Sequence, residues 1–221
     1  MIATLRFALA AAICLVTGEA STAALARPAF LHATLPADST YRQLFETGEA
    51  FPDFVSRADR RKEQWERNYA GAATDALVAR VTKAGSGWRL LVVTVPGCSD
   101  SVNSVPYLAS LVERLPGVQM RLINSSAGRA VMEAHRTPDG RPATPTVILL
   151  DESFNERGCW IERPASLLAW MAEQQGKVSD TDLFDGKMKW YDVDRGASSL
   201  DEIVAMIEAA ARGERRCGST S

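Results

Sequence analysis

The stretch that most constrains this chain is Val92-Val93-Thr94-Val95-Pro96-Gly97-Cys98-Ser99-Asp100-Ser101, with Pro106 eight residues after the cysteine. An apolar, β-branched run stops at Pro-Gly, a thiol follows, and an amphipathic helix begins. That order sets a sulfur at the end of a buried strand and over the first turn of a helix. Unpaired backbone N–H groups and the helix dipole favour thiolate over thiol at such a place.

The pattern on either side extends the unit. Trp88 to Val95 reads as a buried strand. From Ser101 to Leu115, the residues Val105, Leu108, Leu111, Val112 and Leu115 recur at helical spacing, and Pro106 within them predicts a kink. Gly117 ends that helix and Val118 to Ile123 is a second strand. Strand, helix and strand make a βαβ unit with parallel strands and a right-handed crossover.

A short helix from Ala127 to His135 leads through Thr137-Pro138-Asp139-Gly140 to Pro145. Thr146 to Leu150 is a third strand, Asp151 to Gly158 a hairpin turn, and Cys159 to Glu162 a fourth strand. Helices follow at Ser166 to Glu173 and Leu200 to Ala211. Between them, 176–198 reads as a long polar segment whose aspartates lack calcium-loop spacing. Before the first strand the chain is polar and mostly helical, with helices near Tyr41, from Phe51 to Tyr69, and around Leu77 to Val81.

The first residues predict a compartment. Arg6, the apolar run Phe7 to Val16 and the end Ala24-Leu25-Ala26 have the layout of a cleaved export signal over 1–26. The expected organisation is therefore signal 1–26, an N-terminal helical extension 27–85, and an α/β domain 86–215. The expected location is periplasmic or secreted, where disulfides persist. Cleavage removes one cation (Arg6) and one anion (Glu19), so the net charge stays at −2. No basic excess points to nucleic acid, and no later apolar run is long enough for a membrane. Cys14 leaves with the signal, so Cys98, Cys159 and Cys217 form at most one intramolecular disulfide. With His32 and His135 the only histidines, no spacing matches a metal or haem site. Neither a metal nor another cofactor is expected.

The order of parts resembles the thioredoxin superfamily. Cys98 lies at the strand-to-helix turn, Pro106 stands where that fold has its kinking proline, and Thr144-Pro145 enters the third strand where it has its cis-proline. The likeness narrows to a bacterial thioredoxin-like family with a Trp-Cys-x-Asp-Cys or Trp-Cys-x-Asp-Ser site and a Trp…Arg-Pro strand end. Here these read Gly97-Cys98-Ser99-Asp100-Ser101 and Trp160-Ile161-Glu162-Arg163-Pro164. The resemblance implies an α/β thioredoxin-like fold: a central mixed sheet of about four strands, βαβ then β-hairpin, flanked by helices. Two departures stand out. Gly97 replaces the usual tryptophan, and Ser101 replaces a resolving thiol.

From this follow the candidate residues. Cys98 is the nucleophile, and Ser101 is expected to steady its thiolate through the hydroxyl while Asp100 opposes it by like charge. Gly97, Thr144 and Pro145 are candidates for substrate contact, because in this fold the residue before the cis-proline pairs with an extended substrate chain. Arg163, at the same sheet end, could face a thiolate or carboxylate. Cys159, at the start of its strand, should lie at the far end of the sheet from Cys98, which favours a Cys159–Cys217 disulfide. Two functions compete. One is a single-cysteine thiol–disulfide oxidoreductase acting on protein or small-molecule thiols and disulfides. The other is a non-catalytic module binding an extended peptide beside Pro145.

Overall fold

The structure, a computed structural model, describes residues 38–70 and 74–218; the expected export signal lies outside the described residues. Four helices come first: α1 (Asp38–Glu46), α2 (Phe51–Ser56), α3 (Lys62–Tyr69) and α4 (Asp75–Lys83). Pro52 falls in the first turn of α2, where a missing N–H costs no helical bond. A single helix from Phe51 to Tyr69 was expected, and the chain instead turns at Arg61, whose φ is 57°. The turn lets α3 fold back so that Trp65 meets Phe54 edge-on at 5.2 Å.

The sheet holds β1 (Trp88–Val93), β2 (Val118–Ile123), β3 (Thr146–Leu150), β4 (Glu156–Ile161) and β5 (Arg216–Cys217), in the order β2-β1-β3-β4-β5. β1 and β2 are parallel, while β3 runs antiparallel to both β1 and β4. The fifth strand exceeds the expected four: two residues are too few to show alternation, and pairing of Cys217 with Cys159 brings them into the sheet. β4 also starts earlier than expected. Asp151 turns the hairpin tightly, its Oδ1 accepting the N–H groups of Ser153 and Asn155 at 2.8 and 2.9 Å. Cys159 therefore sits in mid-strand opposite Ile148 rather than at the strand's start. At the outer side of β2, Glu49 exchanges two backbone hydrogen bonds with Leu122, at 2.8 and 2.9 Å. Gly48 permits that approach, since a Cβ there would stand 2.9 Å from the Cβ of Arg121.

Six further helices complete the described residues: α5 (Ser99–Val102), α6 (Val105–Glu113), α7 (Arg129–Ala134), α8 (Ala165–Gln174), α9 (Asp180–Asp194) and α10 (Ala197–Ala211). The expected kinked helix from Ser101 is two helices, broken at Asn103 and Ser104. Pro106 lies in the first turn of α6, where it fits without loss. The expected polar segment is mostly α9, started by Ser179, whose hydroxyl accepts the Asp182 N–H at 3.1 Å. None of the described helices is long and apolar enough to cross a membrane.

Alternation along the strands fills both faces of the sheet. Leu90, Val92, Val147, Leu149 and Trp160 pack with α2, α3, α4, α6 and α10. Leu91, Val93, Ile148, Leu150 and Cys159 pack with α1 and α7. Cys159 and Cys217 are joined by a disulfide across 58 residues, their Cα atoms 4.3 Å apart. Changing both to alanine is expected to cost about 2–4 kcal/mol. The midpoint of urea unfolding in non-reducing buffer reads this directly; a change within about 0.5 kcal/mol, the scatter of an ordinary surface substitution, would show the staple to be idle.

Candidate functional site

β1 delivers Thr94 to Ile123 through a 2.9 Å backbone hydrogen bond, and Cys98 N–H then bonds the Val95 carbonyl at 3.1 Å. The Pro96 carbonyl accepts the indole N–H of Trp65 at 3.1 Å, so a helix from the N-terminal region anchors the turn. These bonds place Cys98 at the N-cap of α5, half-buried and the one free thiol among the described cysteines. Its sulfur accepts the backbone N–H of Ser101 at 3.4 Å, and its S–H donates to the Thr144 carbonyl at 3.2 Å.

Thr144 and Pro145, joined by a cis peptide bond, thus face Cys98. The Pro145 carbonyl accepts the Glu162 N–H at 2.8 Å, which brings the end of β4 and Arg163 to the same sheet end. Gly97 has Arg60 beside it: a Cβ on Gly97 would lie 2.8 Å from the Arg60 Nη1. A guanidinium therefore stands over Gly97.

Two expectations are corrected. Ser101 touches the sulfur through its backbone, not its hydroxyl; the hydroxyl is wholly buried, and like that of Thr94 it has no partner among the described residues. Asp100 does not confront the thiol as a bare charge. It is buried in a ring of donors: Arg163 Nε and Nη2 at 3.0 and 3.1 Å, Lys187 Nζ at 3.1 and 3.2 Å, and Tyr191 OH at 2.8 Å. Burial pushes its carboxyl up, and Arg163, Lys187 and Tyr191 outweigh that, holding it below the usual carboxylate range. Burial and the neighbouring Asp100 carboxylate push the Tyr191 phenol up. Arg163 thus serves the carboxylate of Asp100, with a further contact to Glu162 at 3.1 Å. Lys187 also donates to Ser99 Oγ at 3.0 Å, tying α9 to the first turn of α5.

The sequence reading missed Lys187 and Tyr191. They lie one turn apart on α9, and they are the two fully buried positions of that helix. The Ser179-x-x-Asp182 start and the four-residue spacing were the available signals.

A free cysteine capping a helix after a central strand, set against a proline that opens the third strand, defines a thioredoxin-fold protein. The chain belongs to the thioredoxin family, whose model matches residues 48–177. A protein of unknown function from Pseudomonas aeruginosa, solved by crystallography, is similar at 23% identity and a TM-score of 0.61, over 77% of this chain and 98% of that one. A crystallised HIV epitope-scaffold is similar at 23% identity and a TM-score of 0.58, over 76% and 98% of the respective chains. Those likenesses bear on the fold. No curated protein matches the chain.

Proposed function

We propose that the protein is an exported thiol–disulfide oxidoreductase of single-cysteine type, working on protein or small-molecule thiols and disulfides in the periplasm or outside the cell. The observation that carries the reading is the 3.2 Å contact between Cys98 Sγ and the Thr144 carbonyl. An extended substrate chain pairing with the backbone at Thr144 would bring its own sulfur beside Cys98. Deprotonated Cys98 attacks one sulfur of the substrate disulfide, forming a mixed disulfide and releasing the other half as thiolate. A second thiolate, from the substrate or a small molecule, then attacks the substrate sulfur of that bond. The new disulfide leaves and the Cys98 thiolate returns. Position 101 offers no sulfur for the second step, so the resolving thiol comes from outside. The export signal read in residues 1–26 supports the location.

Cys98→Ser is expected to bring disulfide turnover down to the uncatalysed rate, while a Cys159→Ala/Cys217→Ala double variant keeps it. Equal turnover by Cys98→Ser and wild type would reject the reading. The buried, sulfur-free Ser101 favours a second one, a module that docks an extended peptide without chemistry. That reading expects Cys98→Ala to capture the same partners as wild type, with no turnover by either.

A further inference from the structure

We propose that His135, Cys159 and Cys217 form a second site, away from Cys98, that takes a zinc ion when the Cys159–Cys217 disulfide is reduced. A ring nitrogen of His135 and the two sulfur atoms lie within 4.8 Å of one another. The three residues are far apart in sequence and match no zinc spacing. The fold unites them from the end of α7, the middle of β4 and β5. The setting is buried: His135 is 3% and Cys159 1% exposed.

The surroundings have the features of a metal shell. His135 Nδ1 is 2.8 Å from the Val131 carbonyl, a hydrogen bond that fixes the ring, so a metal would be bound through Nε2 in exchange for its contact with Glu156. Nε2 in turn lies 3.1 Å from both oxygens of Glu156, which Tyr41 OH holds at 2.6 Å and Arg215 also contacts. Two thiolates and one imidazole are the soft and borderline donors that zinc prefers, with the fourth tetrahedral position left to water or an external ligand. Charge favours it too. Against two thiolates and a carboxylate the pocket offers one guanidinium, and a divalent cation neutralises the remaining two charges.

The chemistry balances. Two molecules of a thiol reductant convert the disulfide to two cysteine thiols and are oxidised to their own disulfide. Zinc binding then displaces one proton from each thiol and takes the place of the Nε2 hydrogen that faces Glu156. Oxidation reverses the sequence, forming the sulfur–sulfur bond and expelling the metal. The same two sulfurs thereby hold the C-terminal strand in either redox state.

The test uses the full chain carrying Cys98→Ser, so that the third thiol takes no part. Protein reduced with a phosphine and desalted without oxygen is titrated with Co²⁺ and then Zn²⁺. The expected result is one equivalent of Co²⁺ giving the intense visible bands of a tetrahedral thiolate site, erased by one equivalent of Zn²⁺. The disulfide form gives no such bands. His135→Gln is expected to weaken zinc at least about tenfold. Cys217→Ser, on a half-buried terminal strand, should abolish the bands while far-ultraviolet circular dichroism stays that of the parent. Failure of the reduced protein to bind one equivalent would overturn the proposal, as would unchanged binding by Cys217→Ser.

Discussion

Replacing Asp100 by alanine is expected to cost about 3–5 kcal/mol, because it removes the anion that two largely desolvated cations share. The side chains of Arg163 and Lys187 are 15% and 6% exposed, and both pair with Asp100, Arg163 keeping a second contact with Glu162. Removing the anion leaves them desolvated, and Tyr191 loses its acceptor as well. Urea unfolding of Asp100→Ala against wild type measures the loss. A paired change, Asp100→Leu with Lys187→Met, should recover a large part of it, since an apolar pair can replace a buried ion pair at little cost. A loss below about 1 kcal/mol for Asp100→Ala, no more than an exposed ion pair gives, would show that α9 is held by other contacts.

The same carboxylate ties stability to acid. Its folded-state pKa lies below the ordinary value of about 3.9. A depressed carboxyl contributes stability that is complete above the unfolded value and disappears as pH falls through the folded one. Glu156 acts likewise: burial pushes it up, and His135, Tyr41 and Arg215 bring it down from 4.5 to about 2. The stability of wild type should therefore fall from about pH 4.5 downward, and Asp100→Asn should show a shallower acid limb.

Trp65→Ala is expected to cost a comparable amount, about 3–5 kcal/mol. The indole is fully buried between Phe51 and Phe54, and its N–H holds the Pro96 carbonyl. Trp65→Phe separates packing from hydrogen bonding. It should lose about 1–3 kcal/mol by leaving that carbonyl without its donor. Both variants free the turn that carries Cys98, so alkylation of Cys98 by iodoacetamide at fixed pH should quicken relative to wild type. An unchanged rate in both would mean that the turn keeps its shape without the indole.

Much of the fold was legible because its strands are plain. Val92, Val93, Val147 and Ile148 lie in uninterrupted apolar runs, and Pro96-Gly97 marks where the first run ends. The juxtaposition of Cys98 with Thr144 and Pro145 was implied by the resemblance to the thioredoxin superfamily, and it arises because β1 and β3 are neighbours. What escaped was polar. α9 offers two buried positions, a lysine and a tyrosine, on a helix whose other residues are aspartates, one lysine, a threonine, a glycine and scattered apolar groups. No apolar stripe announces such a helix, because its inner face is fastened by charge rather than by hydrocarbon. For the same reason the role of Asp100 was misread. Its partners Lys187 and Tyr191 lie 87 and 91 residues further along, and no local pattern links them to it. The break at Asn103 was hidden because Pro106 marks either an interior kink or a first turn, and only packing decides between them.

The pairing of Glu49 with Leu122 has a bearing on how copies of the protein meet. It lies near the C-terminal end of the sheet's outermost long strand, and on the opposite flank β5 is two residues long. The bridge takes up the outward amide and carbonyl of Leu122, and the shortness of β5 limits the other border, so among the described residues both borders offer a shortened template for strand-on-strand stacking. Shortened borders of this kind hinder the edge-to-edge route by which sheets aggregate.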